Sequence, residues 1–414
     1  MRAADPKVRL LAHLPILAAS LEQARHCWVI GIGKAALEMA LALESQLGQR
    51  LAGGAVAAPP ERLAQVDEAT RRALPFQLYP AAHPLPDERN LLAAQAIARI
   101  ATQVGAGDLV IALVSGGGSA HLTLPVAGLT LADLQITTDA LLKSGATIQE
   151  LNAVRKHCEQ LKGGGLLRLI APARVQAFIL SDVIGDPLDV IASGSVSPDP
   201  TTYADALKVL DKYGLAVDAV RRHLTSGENE TLKPGDPLLA LVSHTIIGSN
   251  LLAVEAVEAA AKASGFAVAC VETGVQGEAR EVGQRIGTLA RQWFGHTRPQ
   301  CIIFGGETTV MVRGNGLGGR NQELALAAAI AMNGFEKVAL AAFATDGIDG
   351  PTPAAGAYVT GETCERARAL GLDPARFLNR NDSHTFFARL DDLILTGPTG
   401  TNVNDVAVAL MYST

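Results

Sequence analysis

Short apolar runs separated by helical stretches of ten or more residues recur along the 414-residue chain, and several of them end in glycine. The runs are CWVIGIG (27–33), GGAVAAP (53–59), FQLYPA (76–81), DLVIALV (108–114) and VQAFILSDV (175–183). A second set follows: HTIIGSN (244–250), FAVACVETG (266–274), CIIFGGE (301–307), TTVMVRG (308–314) and KVALAAFATDG (337–347). Short strands alternating with longer helices predict βαβ units, hence an α/β fold with a parallel sheet. Apolar residues make up 48% of the chain and aromatics only 4%, which suits strands buried on both faces by helices. The length suggests two domains or three. The polar stretch TSGENETLKPGDP (225–237) is the best linker, which predicts domains at 1–238 and 239–414. CIIFGGETTVMVRG reads as two strands joined by a tight Gly-Gly turn, so the second sheet is expected to be mixed. LLAHLPILAAS near the N-terminus reads as a short amphipathic helix rather than a signal segment.

A net charge of −6 offers no general attraction to nucleic acid or to an anionic membrane. No apolar run reaches the length of a membrane span. The five cysteines (Cys27, Cys158, Cys270, Cys301, Cys364) are widely spaced and form no CxxC pair, which predicts buried free thiols and a cytoplasmic location.

The chemistry is expected in the loops. GIGKAA (31–36) sits where a strand turns into a helix, and Gly31, Gly33 and Ala36 fit a permissive G-x-G-x-x-A phosphate turn. The acid that a dinucleotide ribose needs about 20 residues on is replaced by AVAAPPE. Lys34 stands in the first helical turn, where the helix dipole disfavours a cation, and this predicts a bound anion. SGGGSA (115–120) lacks the Lys-Ser/Thr of a Walker loop. Gly116, Gly117 and Gly118 can still turn backbone amides towards an anion, with hydroxyls from Ser115 and Ser119. Asp182 ends a strand in SDVIGDPLDVIASG (180–194 with Leu180), and Asp346 and Asp349 flank Gly347 in ATDGIDGPTPAAGA (344–357). Arg320, in GNGLGGRNQELAL (314–326), suits bidentate grip of a carboxylate or phosphate, with Asn321 as a helix cap. His83 is the most suggestive histidine, and no metal-binding His spacing occurs.

Glycine loops and cations argue for phosphate, whereas strand-end carboxylates repel it, by about 4 kcal/mol at 4 Å and an effective dielectric near 20. A magnesium ion between them, or an aspartate that takes the proton of an attacking hydroxyl, removes the conflict, and phosphoryl transfer uses both. The expected site is a cleft between the two domains.

GIGKAA, HPLPDE, VSGGGSA, LNAVRKHCEQLKGGGL, SDVIGDPLDVIASG, GGETTV, GGRNQELAL, TDGIDGPT and TGPTGTNVND, in that order from about residue 25 to 410, resemble the class II glycerate kinases, the glycerate 2-kinases with a C-terminal MOFRL domain. The resemblance implies a Rossmann-like three-layer N-terminal domain, a MOFRL domain with a mixed sheet, and ATP-dependent phosphorylation of D-glycerate at its 2-hydroxyl. Lys34 and Arg320 match the family's catalytic lysine and arginine. Asp182 is assigned as general base or magnesium partner, with Asp346 as the second metal candidate. Gly31, Gly33, Ser115, Gly116, Gly117, Gly118, Ser119, Asn250 and Glu307 are assigned to substrate or phosphate binding. The expected cofactors are ATP and Mg2+. The expected partner is D-glycerate, with a homodimer as the oligomer considered, and neither nucleic acid nor membrane. The chain departs from the family pattern at SGSVSPDPTT (193–202), at Pro353 and at His384, which bears on substrate and nucleotide preference. The competing reading is an NAD(P)-dependent hydroxypyruvate reductase, which draws on the G-x-G-x-x-A match and lacks the ribose acid.

Overall fold

In the computed structural model, which describes residues 2–228, 230–293 and 296–413, the apolar runs of the first half become strands β1 (Cys27–Ile32), β2 (Leu51–Ala58), β3 (Gln77–Pro80), β4 (Leu109–Ser115), β5 (Arg174–Leu180) and β6 (Val242–Gly248). They form one six-stranded sheet in the order β3-β2-β1-β4-β5-β6, with every pairing from β3 through β5 parallel. Both faces of the central strands β1, β2, β4 and β5 are buried, as the lack of polar alternation in these runs requires, while the edge strand β3 is partly exposed. Val29, Val56, Ile111 and Leu113 pack with Ala36, Met39 and Leu43 of the helix Ala36–Leu47. Ile30, Ala55, Ala57 and Ala112 pack on the opposite face with Ala93 and Ile97 of the helix Glu88–Ala101. This is the three-layer parallel architecture expected. A separate apolar cluster, including Leu134, Leu151, Val154, Tyr203 and Leu210, joins helices that lie between β4 and β6 in sequence.

The second sheet contains β7 (Ala267–Val275), β8 (Gln300–Gly306), β9 (Val338–Ala344), β10 (Gly356–Thr360), β11 (Leu393–Ile394) and β12 (Asp405–Met411), in the order β11-β10-β9-β12-β8-β7. It is mixed: β7 and β8 run parallel, and the other pairings are antiparallel. The mixing does not arise from a hairpin at CIIFGGETTVMVRG. After Gly306 the chain leaves the sheet, and Thr309 exchanges backbone hydrogen bonds with Gly277 and Ala279. Met311 and Val312 stand exposed, with no sheet face to bury them. The antiparallel character comes instead from β12, a C-terminal strand inserted between β8 and β9.

The chain divides into two compact units, one of Pro6–Ile247 and the other from Gly248 onward together with the residues up to Asp5. The polar stretch 225–237 lies inside the first unit, where Leu232 is buried and its backbone bonds to Gly163 and Asp199. All five cysteines are free thiols; Cys270 is half-buried and the other four are buried. Burial pushes the Cys27 thiol up to about 12, so it is an inert packing group. No described helix is long and apolar enough to cross a membrane.

Candidate active site

In the first unit the two glycine loops meet at the carboxyl ends of adjacent strands β1 and β4, where ligands of open α/β sheets bind. Gly33 has φ +110°, and a Cβ there would lie 2.3 Å from both the carbonyl oxygen and Oγ of Ser115, so only glycine permits this approach. The amides expected to hold phosphate already donate within the protein. Gly33 N–H donates to His121 Nδ1 (3.2 Å), Lys34 N–H to the Gly116 carbonyl (2.9 Å) and Ala35 N–H to Ser115 Oγ (3.0 Å). Gly31 packs on Val56, with 2.9 Å from its Cβ position to Cγ1. The GIGKAA turn is therefore joined to SGGGSA, with Ser115 as the fastener and Lys34 projecting from the joint.

The amides of Gly117, Gly118 and Ser119 donate to no acceptor among the described residues, and Gly117 is left-handed (φ +81°), the geometry of an anion-binding turn. Lys34 forms no ion pair among the described residues. Its Cγ lies 3.3 Å from the Cβ position of Gly117, and His83 Cδ2 is 3.1 Å from the same point. Lys34, His83 and Gly117 thus crowd one spot. His83 is exposed at the surface, yet the protein around its ring, and then the Lys34 and Arg155 cations, hold its pKa well below the ordinary value. Arg155, in the helix Ile148–His157, donates from Nη2 to the Ser119 carbonyl (3.3 Å). The Ser119 hydroxyl shares a hydrogen bond with Ser193 Oγ (2.8 Å). Ala192 and Ser193 are both left-handed, at φ +48° and +55°, a strain that non-glycine residues carry mainly at functional sites. Gly163 and Gly164 of the KGGGL segment hold this turn through the carbonyls of Ser193 and Gly194. Asp182 follows β5, and its Oδ2 lies 1.9 Å from where a Gly116 Cβ would be, so the carboxylate occupies the space that Gly116 leaves.

His121 is fully buried beneath this loop, and its Nε2 has no hydrogen-bond partner among the described residues. Burial pushes its pKa down to about 4. Because the folded value is below the unfolded 6.5, its contribution to stability is complete above pH 6.5 and is lost as pH falls towards 4. Denaturation at pH 5 is expected to show about 2 kcal/mol less stability from this group than at pH 7. A His121→Leu variant should lack that increment of pH dependence, and an unchanged slope would refute the assignment.

In the second unit the helix Arg320–Met332 starts beside the ends of β8, β9 and β12. The register sets Asp405 opposite both Gly306 and Ala344, so Glu307 and Thr345-Asp346 emerge next to it. Arg320 grips Asp405 through Nε (2.5 Å) and Nη2 (3.0 Å) and meets Glu307 Oε1 through Nη1 (2.9 Å). Burial opposes its charge, but Asp405 and Glu307 outweigh that and raise its pKa. Burial pushes Asp405 up to about 6 against the pull of Arg320, so it remains an anion at neutral pH. Asn250 donates from Nδ2 to the carbonyls of Val403 and Asp405 (3.0 Å each), which fixes the segment carrying the carboxylate. Asn250 is thus a support in this arrangement. Glu307 also accepts from Asn404 Nδ2 (3.0 Å).

The anion at this helix's N-terminus is Asp349. Its carboxylate accepts from the backbone of Asn321 (3.1 Å) and Gln322 (2.9 Å) and from both side-chain amides. The expected cap, Asn321, therefore donates to a cap that comes from another loop. Asp349→Ala is expected to lower unfolding stability by about 2 kcal/mol, read from the denaturation midpoint. Asp346 instead turns its own loop, accepting from Ile348 N–H (3.0 Å). His384 Nδ1 lies 3.1 Å from Gln322 Oε1, at the same helix start. No group of three or more His, Cys, Asp or Glu among the described residues could hold a metal ion by itself.

Arg155, Ser193, Asp405 and His121 were not among the residues singled out from sequence. Arg155 lies in LNAVRKHCEQLKGGGL and Asp405 ends TGPTGTNVND, so the motifs were visible although these residues' roles were not.

The sequence pattern of DUF4147, a domain of unknown function, matches residues 1–225, and that of the MOFRL family matches residues 300–405. The D-glycerate 2-kinase of Thermotoga maritima is 42% identical over 92% of this chain and 90% of its own. A putative hydroxypyruvate reductase of Agrobacterium vitis is 38% identical over 99% of this chain and 91% of its own. A crystal structure of glycerate kinase from Thermotoga maritima is 41% identical and matches with a TM-score of 0.91, over 99% of this chain and 96% of that one. With both sheets built as that likeness requires and the glycine loops joined through Ser115, the chain belongs to the glycerate 2-kinase family whose members end in a MOFRL domain.

Proposed function

We propose that the protein transfers the γ-phosphoryl group of ATP to the 2-hydroxyl of D-glycerate. The observation that carries the reading is the Lys34 ammonium, without an ion pair among the described residues, beside the unspent amides of Gly117, Gly118 and Ser119. A cation without an ion pair among the described residues, beside a nest of unspent amides, suits an external oxyanion. The activity of the glycerate 2-kinase relatives supplies the substrate.

In this reading Lys34 neutralises charge on the transferring group. Arg320 orders Asp405 and Glu307, and with three of its five N–H bonds so engaged it keeps about two for a ligand. Asp182 is the general base or a magnesium partner, and Asp346 the alternative carboxylate. Magnesium is ordinarily held by one or two carboxylates together with phosphate oxygens and water. That need suits single strand-end aspartates better than a cage of protein ligands. The ion would supply charge neutralisation on the nucleotide phosphates. Free buried thiols are consistent with a cytoplasmic setting.

The reductase reading has a relative's name in its favour. Against it, the first-turn amides of Gly33, Lys34 and Ala35 are spent on His121, Gly116 and Ser115, although a dinucleotide pyrophosphate needs them. The test is purified protein with D-glycerate and Mg-ATP, and separately with hydroxypyruvate and NADH. ADP formation without NADH oxidation is expected, and the reverse would overturn the proposal. Phosphorus NMR of the product should show the 2-phosphate.

A further inference from the structure

Arg155 has a charge that the protein compensates only in part. Its nearest carboxylate is Glu159, with Nε to Oε1 at 3.9 Å, beyond hydrogen-bonding range. Glu159 Oε2 is taken by the fully buried Lys162, which also donates to the Leu122 carbonyl (2.9 Å). One negative charge is therefore divided between two cations. The Arg155 side chain is only 16% exposed, and a guanidinium withdrawn from water this far ordinarily finds a carboxylate of its own. Its one hydrogen bond among the described residues goes to the Ser119 carbonyl, which sets the fork against the SGGGSA loop. Arg155 and Lys34 are the two cations that depress His83, so both fields converge on the ring beside Gly117. The strained Ser193 turn meets the same loop through Ser119.

We propose that Arg155 is a second oxyanion-binding residue, which works with Lys34 to hold a carboxylate or phosphoryl group of the substrates at the SGGGSA loop. The inference rests on the kinase reading for the identity of those substrates. A planar guanidinium offers paired N–H donors, which an ammonium does not, so the two cations have different tasks. Arg155 would orient the anion, and Lys34 would add a point charge.

The test measures steady-state kinetics of Arg155→Gln and Arg155→Lys, with melting temperatures alongside. Arg155→Gln is expected to raise KM at least about 10-fold for D-glycerate or for ATP, in keeping with loss of a charge-assisted hydrogen bond. Arg155→Lys should recover part of the loss, because it keeps the charge and loses the fork. A rise confined to D-glycerate assigns the acceptor's carboxylate, and a rise confined to ATP assigns a nucleotide phosphate. If both KM values stay within about threefold of the parent in the folded variants, the proposal fails. A second measurement needs no variant: NMR titration of His83 in the parent protein with D-glycerate alone and with ATP alone. An oxyanion between the two cations should raise the His83 pKa with one of these ligands, and no change with either overturns the proposal. Phosphoryl transfer by the parent protein is assayed first. If it is absent, the kinase reading falls, while the His83 titration still decides whether this loop binds an oxyanion.

Discussion

Lys34→Ala is expected to lower kcat by at least about 100-fold and to leave the fold intact. The magnitude is that of losing one preorganised electrostatic group from a transition state. Two features of the structure make the prediction sharp. Lys34 makes no ion pair among the described residues, so no buried partner is left exposed by its removal. Its own backbone bond to Gly116 survives the substitution, and the loop joint depends on Ser115 and Gly33 rather than on the lysine side chain. Thermal unfolding of the variant should therefore match the parent while turnover collapses. Near-normal turnover would show that the transferring group does not lie at this loop.

Arg320→Ala is expected to lower kcat by a similar factor, at least about 100-fold, and unlike Lys34→Ala to lower stability as well. The difference lies in the partners. Arg320 is gripped by Asp405, whose side chain is 9% exposed, and its loss leaves that carboxylate buried and unpaired. Breaking a buried pair costs about 3–5 kcal/mol, and the lower end applies here because Arg320 itself is partly exposed. Without the arginine the Asp405 pKa rises further, since burial then acts unopposed. A carboxyl whose folded pKa lies above its unfolded value destabilises the fold where it is ionised, so the defect should be larger at pH 8 than at pH 5.5. Arg320→Lys should restore part of the stability and little of the turnover, because an ammonium cannot span Asp405 and Glu307 with a rigid fork. Denaturant unfolding at the two pH values, with kinetics at each, checks both parts.

The central strands β1, β2, β4 and β5 were legible because each is a near-continuous apolar run, and such a run is stable only when covered on both sides. The second sheet was less so. β12 carries the same kind of run, DVAVALM, directly after the Gly/Thr/Asn loop TGPTGTNVN. TTVMVRG has strand-like composition without a sheet to join, because Gly277 and Ala279 take the hydrogen bonds of Thr309. Local composition reports propensity, and pairing depends on which edge is within reach.

By itself the sequence determined the class of fold, the order of the loops and the presence of a lysine and an arginine in glycine-rich turns, because periodicity and glycine placement are local properties. It also marked Asp349 as a strand-end carboxylate. Only the tertiary structure decided what these groups face. It gave the helix N-terminus at Arg320 to Asp349, bound Arg320 to Asp405 across 85 residues of chain, and spent the amides of Gly33 to Ala35 on the loop that follows β4. It left Lys34 and Arg155 with charge to spare at SGGGSA. The physical reason is that a hydrogen bond or ion pair is a property of two groups in space. Sequence spacing names the candidates, and the packing of strands β1 and β4 side by side decides which of them are already satisfied and which remain for a ligand.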